Sequence, residues 1–218
     1  MEIKYAPDVF RTAVKISTQS VFKNHSAETD GFLEFLVDGQ GRVAFASARS
    51  SIAFLKKPDE FNWDSASQMC IQITDMVDEI SEKALKYNVD VAVDIEENRI
   101  GISMYSTATG LLETKCPVVA LQFSAVYMFK GMVQGKVRDA TCSNPYLSLK
   151  MLKLLSGIPR RRNAPKEKDA LHIANVPGHE DMFIITPDWM INSYIFLAGL
   201  ATRGYNGRET PMLVGQPI

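Results

Sequence analysis

The sequence predicts an α+β fold made of tandem β-α-β-β-β units, with antiparallel sheets backing the helices. Three observations carry this. Ile73, Met76, Val77, Ile80, Ala84 and Tyr87 recur at steps of three and four, the spacing of one helix face. The period then changes to two: Val89, Val91, Val93 and Ile95 alternate with Asp90, Ala92, Asp94 and Glu96, so one side of a strand is apolar and the other wet. The N-terminal segment runs through the same order of helix and short strands, offset by roughly 60 residues, a repeat of pattern more than of letters. Two such units each leave an apolar face that the other can cover.

The first unit opens with Met1 to Tyr5, which alternates as a short strand does. Pro7 and Asp8 suit the first turn of a helix over Pro7 to Lys23 that places Phe10, Ala13, Val14 and Val21 toward a core. Arg11 and Lys15, four apart, project together from another face. After a loop over Asn24 to Asp30, Leu33, Phe35 and Val37 form a strand. Asp38-Gly39-Gln40-Gly41 is a hairpin turn, and Val43, Phe45 and Ser47 run back. Ser51 to Lys56 is a third strand, closed by Pro58.

In the second unit Phe61 to Trp63 reads as a short strand, with Asp64 or Ser65 placed to cap the long helix that follows. That helix and its strands occupy Ile71 to Pro117. The polar turn Glu97-Asn98 leads to Ile100, Ile102 and Met104, and Ser106 to Gly110 returns the chain to Leu112, Thr114 and Cys116. A division at residue 117 separates this first domain from a second, reduced or divergent one over 118–218.

The second half carries weaker signals. Pro117 to Phe123 reads as a linker passing into a strand, and Ser124 to Val137 as either a helix or two short strands, because Gly131 and Gly135 weaken a helix. Pro145 to Gly157 is a helix with Leu147, Leu149, Met151, Leu152 and Leu155 on its apolar side and Lys150 and Lys153 on its polar side. Arg160, Arg161 and Arg162, followed by Lys166 and Lys168 around Pro165, make a basic loop. Leu171 to Ala174 and Met182 to Thr186 are strands flanking a turn at Pro177-Gly178-His179. Ile191 to Leu200 is apolar and open as to type, and the tail from Thr202 is irregular.

The 218 residues suffice for two domains of roughly 100 residues each. No run reaches the ~18 apolar residues of a membrane span. The opening residues lack the basic and apolar segments of a signal peptide, so an intracellular location is expected. Cys70, Cys116 and Cys142 are odd in number and far apart, which suggests buried hydrophobes in place of a disulfide framework or a zinc site. The net charge of −1 hides an asymmetry: residues 1–120 hold 12 Lys and Arg against 18 Asp and Glu, and residues 121–218 hold 12 against 7. An anionic partner meets the second half more readily.

The opening MEIKYAPDVFRTAVKIST, the hairpin FLVDGQGRVAFAS and the stretch ITDMVDEISEKALKYNVDVAVDIEENRIGISM together resemble the repeating domain of DNA sliding clamps, the ring-shaped processivity factors of replicative polymerases. The resemblance covers residues 1 to about 117. It implies helices lining a hole of DNA size, basic side chains that meet phosphates without reading sequence, duplex DNA and a polymerase or transcription complex as partners, and a homo-oligomeric ring, a trimer at this chain length. It implies neither catalysis nor a cofactor. Arg11, Lys15, Lys150 and Lys153 occupy the helix positions such a role requires, and Arg160, Arg161 and Arg162 form a concentrated phosphate site. On the helix of the second unit Asp75, Asp78, Glu79 and Glu82 outnumber Lys83 and Lys86.

The sequence holds no glycine-rich phosphate loop, no nucleophile elbow and no H-E-x-x-H pair. His25, His172 and His179 are scattered. His179-Glu180-Asp181 follows Pro177-Gly178 and reads as a polar turn, and Asp94 with Glu96 reads as the solvated face of a strand. Trp63, Trp189 and Tyr205 are not spaced as a base-stacking platform. Two other readings stay open: a structural or partner-binding protein, viral in origin, that reuses the fold without encircling DNA, and an open nucleic-acid binder acting through the basic second half.

Overall fold

The structure, a computed structural model, describes residues 1–18, 31–49, 52–120, 149–161, 170–176 and 179–198. Its elements are β1 (Glu2–Tyr5), α1 (Pro7–Thr18), β2 (Phe32–Val37), β3 (Val43–Arg49), β4 (Ile52–Lys56), a 3₁₀ turn (Trp63–Ser65), β5 (Ser67–Gln72) and α2 (Asp75–Tyr87). There follow β6 (Val91–Ile95), β7 (Arg99–Ser106), β8 (Gly110–Pro117), α3 (Leu149–Ser156), β9 (Leu171–Val176), β10 (His179–Pro187) and β11 (Ser193–Ala198). The expectations for Val21, Ser124 to Val137, Cys142, Arg162 and Tyr205 fall outside the described residues.

Two antiparallel sheets hold the strands: β1-β6-β7-β8, and β5-β2-β3-β4-β11-β10-β9. The two units trade their first strands. β1 pairs with β6 in the register Ile3↔Val93, and β5 pairs with β2 in the register Leu33↔Ile71. Each unit therefore completes the other's sheet, which makes residues 1–117 one interlocked body and gives the repeat its physical sense. From the second half, β11 joins the exposed side of β4 with Ile195 opposite Phe54, so the larger sheet runs on through β10 and β9.

The helices α1 and α2 lie side by side against one core, as the periodicity predicts. Phe10, Ala13 and Val14 of α1 and Val77, Ile80 and Ala84 of α2 are fully buried with Phe35, Phe45, Phe54, Val91, Val93 and Ile100. Phe45 is the hub of an aromatic group, with ring centroids 4.9 Å from Tyr5, 4.9 Å from Phe35, 5.6 Å from Phe10 and 6.3 Å from Phe54. The buried Ser47 hydroxyl donates to the Ala13 carbonyl at 2.7 Å, tying α1 to β3.

The junction between the units differs from expectation. Phe61 to Trp63 is not a strand. The chain instead tucks Phe61 and Trp63, edge to face at 5.1 Å, under the second face of the larger sheet against Leu36, Leu55 and Phe196. The first strand of the second unit is Ser67–Gln72, so Ile71 belongs to β5, and α2 starts at Asp75 with the Thr74 hydroxyl accepting from the Val77 amide at 3.4 Å. The capping roles given to Asp64 and Ser65 fail because these residues precede a strand. Tertiary pairing with β2 over six residues decides the conformation of a segment whose own pattern is weak. At its other end α2 stops on Asn88, whose left-handed backbone (φ 55°) lets its amide reach the Ala84 and Leu85 carbonyls. Met76, placed on the apolar stripe by spacing, is 39% exposed.

In the second half, the helix expected from Pro145 is described from Leu149. β9 and β10 pair antiparallel on either side of residues 177–178, which lie outside the described residues; β10 begins at His179, so His179-Glu180-Asp181 belongs to a strand, drawn there by pairing with β9, and not to a polar turn. The segment left open at 191–200 contains β11. Cys70 and Cys116 are buried free thiols, and burial pushes the Cys70 thiol well above its ordinary range.

Candidate nucleic-acid interface

The seven basic residues singled out by sequence divide into three groups. Arg11 points from α1 to α2: its guanidinium donates to Asp78 Oδ1 at 2.5 Å and to Ser81 Oγ at 2.8 Å, and its side chain is only 15% exposed. This is the bond that docks the two helices. Lys15, one turn on, points the other way, and its Nζ donates to the Gly157 carbonyl at 2.7 Å just beyond α3. Burial there, reinforced by the Arg11 charge, lowers the Lys15 pKa. The pair expected to project together from one face is thus split, one residue serving each flank of α1. The reason is packing: α1 lies between α2 and the end of α3, so its polar sides are contact surfaces.

The second group follows α3. Leu155 is buried and lines a small apolar cleft with Thr12, Ile16, Ile52 and Ile195, which seats α3 against α1 and the β4–β11 junction. Lys153 is exposed on this helix, and Lys150 lies on its first turn. The third group begins four residues after α3. The Arg160 guanidinium lies over the Trp189 ring, 5.6 Å from its centroid, and the Trp189 indole N–H donates to the Pro159 carbonyl at 3.2 Å. Arg161 lies beside Asp8 at the start of α1. Burial raises the Asp8 carboxyl above its ordinary range, while the Val9 amide and the Arg161 charge and amide favour its ionised form. Arg162 lies outside the described residues.

Sequence reasoning missed the partners Asp8, Asp78 and Trp189. Asp78 had a signal, since it stands among the acids of a helix whose neighbour carries an arginine. Trp189 and Asp8 had none, because their sequence separation from Arg160 and Arg161 is too large for any local pattern. The exposed side of α2 carries Asp75, Glu79 and Glu82, with Lys83 held by Glu79 at 2.6 Å. A polyanion lying along both helices therefore meets acid on α2 and base beyond α3. Among the described residues no group of three His, Cys, Asp or Glu side chains is placed to hold a metal, and no helix is long and apolar enough to cross a membrane.

The Arg11 contact has a measurable weight. Asp78→Ala leaves a mostly buried guanidinium with one neutral partner, and the expected loss is about 1–2 kcal/mol of stability. Arg11→Met is expected to cost less than Arg11→Ala, because the unbranched side chain keeps the packing between helices. Urea unfolding of the three variants checks both.

Interlocked β-α-β-β-β units with paired helices on one side and antiparallel sheets behind them define a sliding-clamp-like fold. Comparison with solved structures agrees. A DNA polymerase III beta subunit structure from Eubacterium rectale matches with a TM-score of 0.51 at 11% identity, covering 91% of this chain and 65% of that one. The DNA polymerase III beta subunit of Thermotoga maritima gives a TM-score of 0.49 at 10% identity over 90% of this chain and 64% of its own. The DNA polymerase sliding clamp of Bacillus subtilis gives 0.45 at 12% identity over 91% and 64%. The chain thus spans less than two thirds of the length of these proteins. No family model and no curated protein matches the sequence. At this identity the likeness to the Eubacterium rectale structure shows the fold alone.

Proposed function

We propose that the chain is a non-enzymatic, clamp-like tether that acts inside the cell as a homo-oligomer and holds a polymerase or transcription complex on duplex DNA without reading its sequence. The observation that carries this reading is the interlocked tandem unit of residues 1–117 with α1 and α2 side by side. Residues 118–218 serve as a reduced second clamp-like domain that extends the larger sheet. In this reading Lys150, Lys153 and Arg160 to Arg162 supply the phosphate contacts, Lys15 stands at their rim, and Arg11 docks the helices.

Charge reversal of Lys150 and Lys153 is expected to weaken duplex binding equally for all sequences and to flatten the dependence of log affinity on log salt by about 0.9 per lost contact. Reversal of Arg160, Arg161 and Arg162 tests the second basic group separately. Encirclement adds retention on closed circular DNA that is lost on linearisation. Equal dissociation from circle and line favours the open binder. No association with either form at low salt favours a partner-binding or structural protein, a reading the acidic face of α2 supports.

A further inference from the structure

Residues 157–161, directly after α3, form a strap. Ile158 and Pro159 line the same apolar cleft as Ile16, Ile52 and Ile195, and among the described residues the strap joins neither sheet. Side chains hold it at four points instead. Lys15 Nζ donates to the Gly157 carbonyl at 2.7 Å, and the Trp189 indole N–H donates to the Pro159 carbonyl at 3.2 Å. The Arg160 guanidinium covers the Trp189 ring, and the Arg161 charge and amide act on the Asp8 carboxyl.

The last of these contacts is incomplete. Asp8 is only 1% exposed, and its Oδ1 accepts from the Val9 amide at 3.0 Å. Its Oδ2 is buried without a hydrogen-bond partner, and Arg161 Nε is buried without one as well. Two opposite charges are thus drawn from water while a donor and an acceptor stay unmatched, so desolvation offsets much of their attraction. The neighbouring cations of α1 do not make up the difference, since Arg11 turns to Asp78 and Lys15 to Gly157. The clasped position also withholds what a phosphate recognises. Arginine grips a phosphate with two parallel N–H bonds from its fork and a full positive charge. In Arg161 the Nε corner of the fork is enclosed, and the carboxylate beside it offsets the charge.

We infer that the strap is a switch thrown by polyanion binding: clasped, it keeps Arg161 on Asp8 and Arg160 on Trp189, and released, it turns both arginines to a phosphate backbone and uncovers the Trp189 ring. The inference deepens the DNA reading and rests on it for the ligand, the backbone of a duplex. Release returns Asp8 Oδ2 and Arg161 Nε to water at the cost of baring Ile158 and Pro159, and the charge-assisted bonds to phosphate tip the balance. Clasp and anion compete for the same guanidinium groups. A weaker clasp therefore raises the share of the binding-competent form and tightens the apparent affinity.

Fluorescence of Trp189 tests this in the full chain carrying Trp63→Phe, which leaves Trp189 as its one indole. Anisotropy of a labelled duplex oligonucleotide at low salt reports binding, and acrylamide quenching reports the exposure of Trp189 in the same samples. Quenching is expected to rise in step with binding. Asp8→Asn, which removes the charge holding Arg161, and Trp189→Phe, which removes the N–H holding Pro159, are each expected to bind the duplex about fivefold more tightly. A merely structural role for these two residues gives unchanged or weaker binding. Trp189→Phe leaves the net charge as it was, so its gain separates release of the strap from a change in the overall field. Thermal melts establish that each variant folds. Duplex binding with unchanged quenching overturns the inference and leaves the DNA reading intact, as do clasp variants that bind no more tightly. If no duplex binds, the DNA reading fails and tripolyphosphate at low salt becomes the probe: a rise in Trp189 quenching keeps the switch, and constant quenching overturns it.

Discussion

Phe45→Ala is expected to cost about 3–5 kcal/mol of stability and to lower Tm by roughly 10 °C, the largest effect of any single core truncation. Phe45 is fully buried, and its ring meets Tyr5, Phe10, Phe35 and Phe54. Those residues come from β1, α1, β2 and β4, so the cavity opens where four elements meet and none can close it alone. β1 is also the strand lent to the other sheet, and loosening Tyr5 loosens the link between the units. Phe45→Leu keeps most of the volume and is expected to lose only about 1–2 kcal/mol. Urea unfolding should show lower midpoints with an unchanged slope. A midpoint shift in Phe45→Ala no larger than that of Phe45→Leu counts against the hub role.

The second large effect is expected at Asp38. Its carboxylate is enclosed and accepts from the Gln40 amide at 2.9 Å, the Arg42 amide at 2.9 Å, the Arg42 Nε at 2.7 Å and the Asn62 amide at 3.1 Å. It therefore shapes the β2–β3 turn and pins the segment that brings Phe61 and Trp63 under the sheet. Burial alone raises this carboxyl. The Asn62 amide and the Arg42 and Gln40 donors outweigh burial and hold it well below the usual carboxylate range. A folded pKa below the unfolded one stabilises at neutral pH, fully so above the unfolded value of about 3.9, and that stability is lost as pH falls toward the folded value. Asp38→Asn is expected to lower Tm by several degrees at pH 7, because its NH₂ faces a donor, and to flatten the fall in stability below about pH 4. A variant that follows the wild-type acid profile shows that other carboxylates set it. Asp38→Ala should also expose the Trp63 indole, read as a red shift in fluorescence.

The helices α1 and α2 and the strands β6 and β7 were legible because each carries its own periodicity, and the turn at Asp38-Gly39-Gln40-Gly41 because it carries turn chemistry. β5 was not, since Ser67–Gln72 is a strand by virtue of the β2 edge it meets. The same limit governs the basic residues. Spacing places Arg11 and Lys15 on one side of a helix, but whether that side meets water, an aspartate or a carbonyl depends on what packs there.

The sequence by itself determined the order of elements in residues 1–117 other than β5, the faces of α1 and α2 that enter the core, and the concentration of base in the second half. These are local properties, carried by intervals of two, three and four residues. Only the tertiary structure decided that the units trade strands, that β11 extends the sheet from β4, that Arg11 binds Asp78 while Lys15 caps the end of α3, and that Arg160 lies on Trp189. Each of these joins residues far apart in the chain. Such contacts arise when apolar faces and open strand edges from distant segments find cover in one another, and no short interval of sequence encodes which partner supplies it.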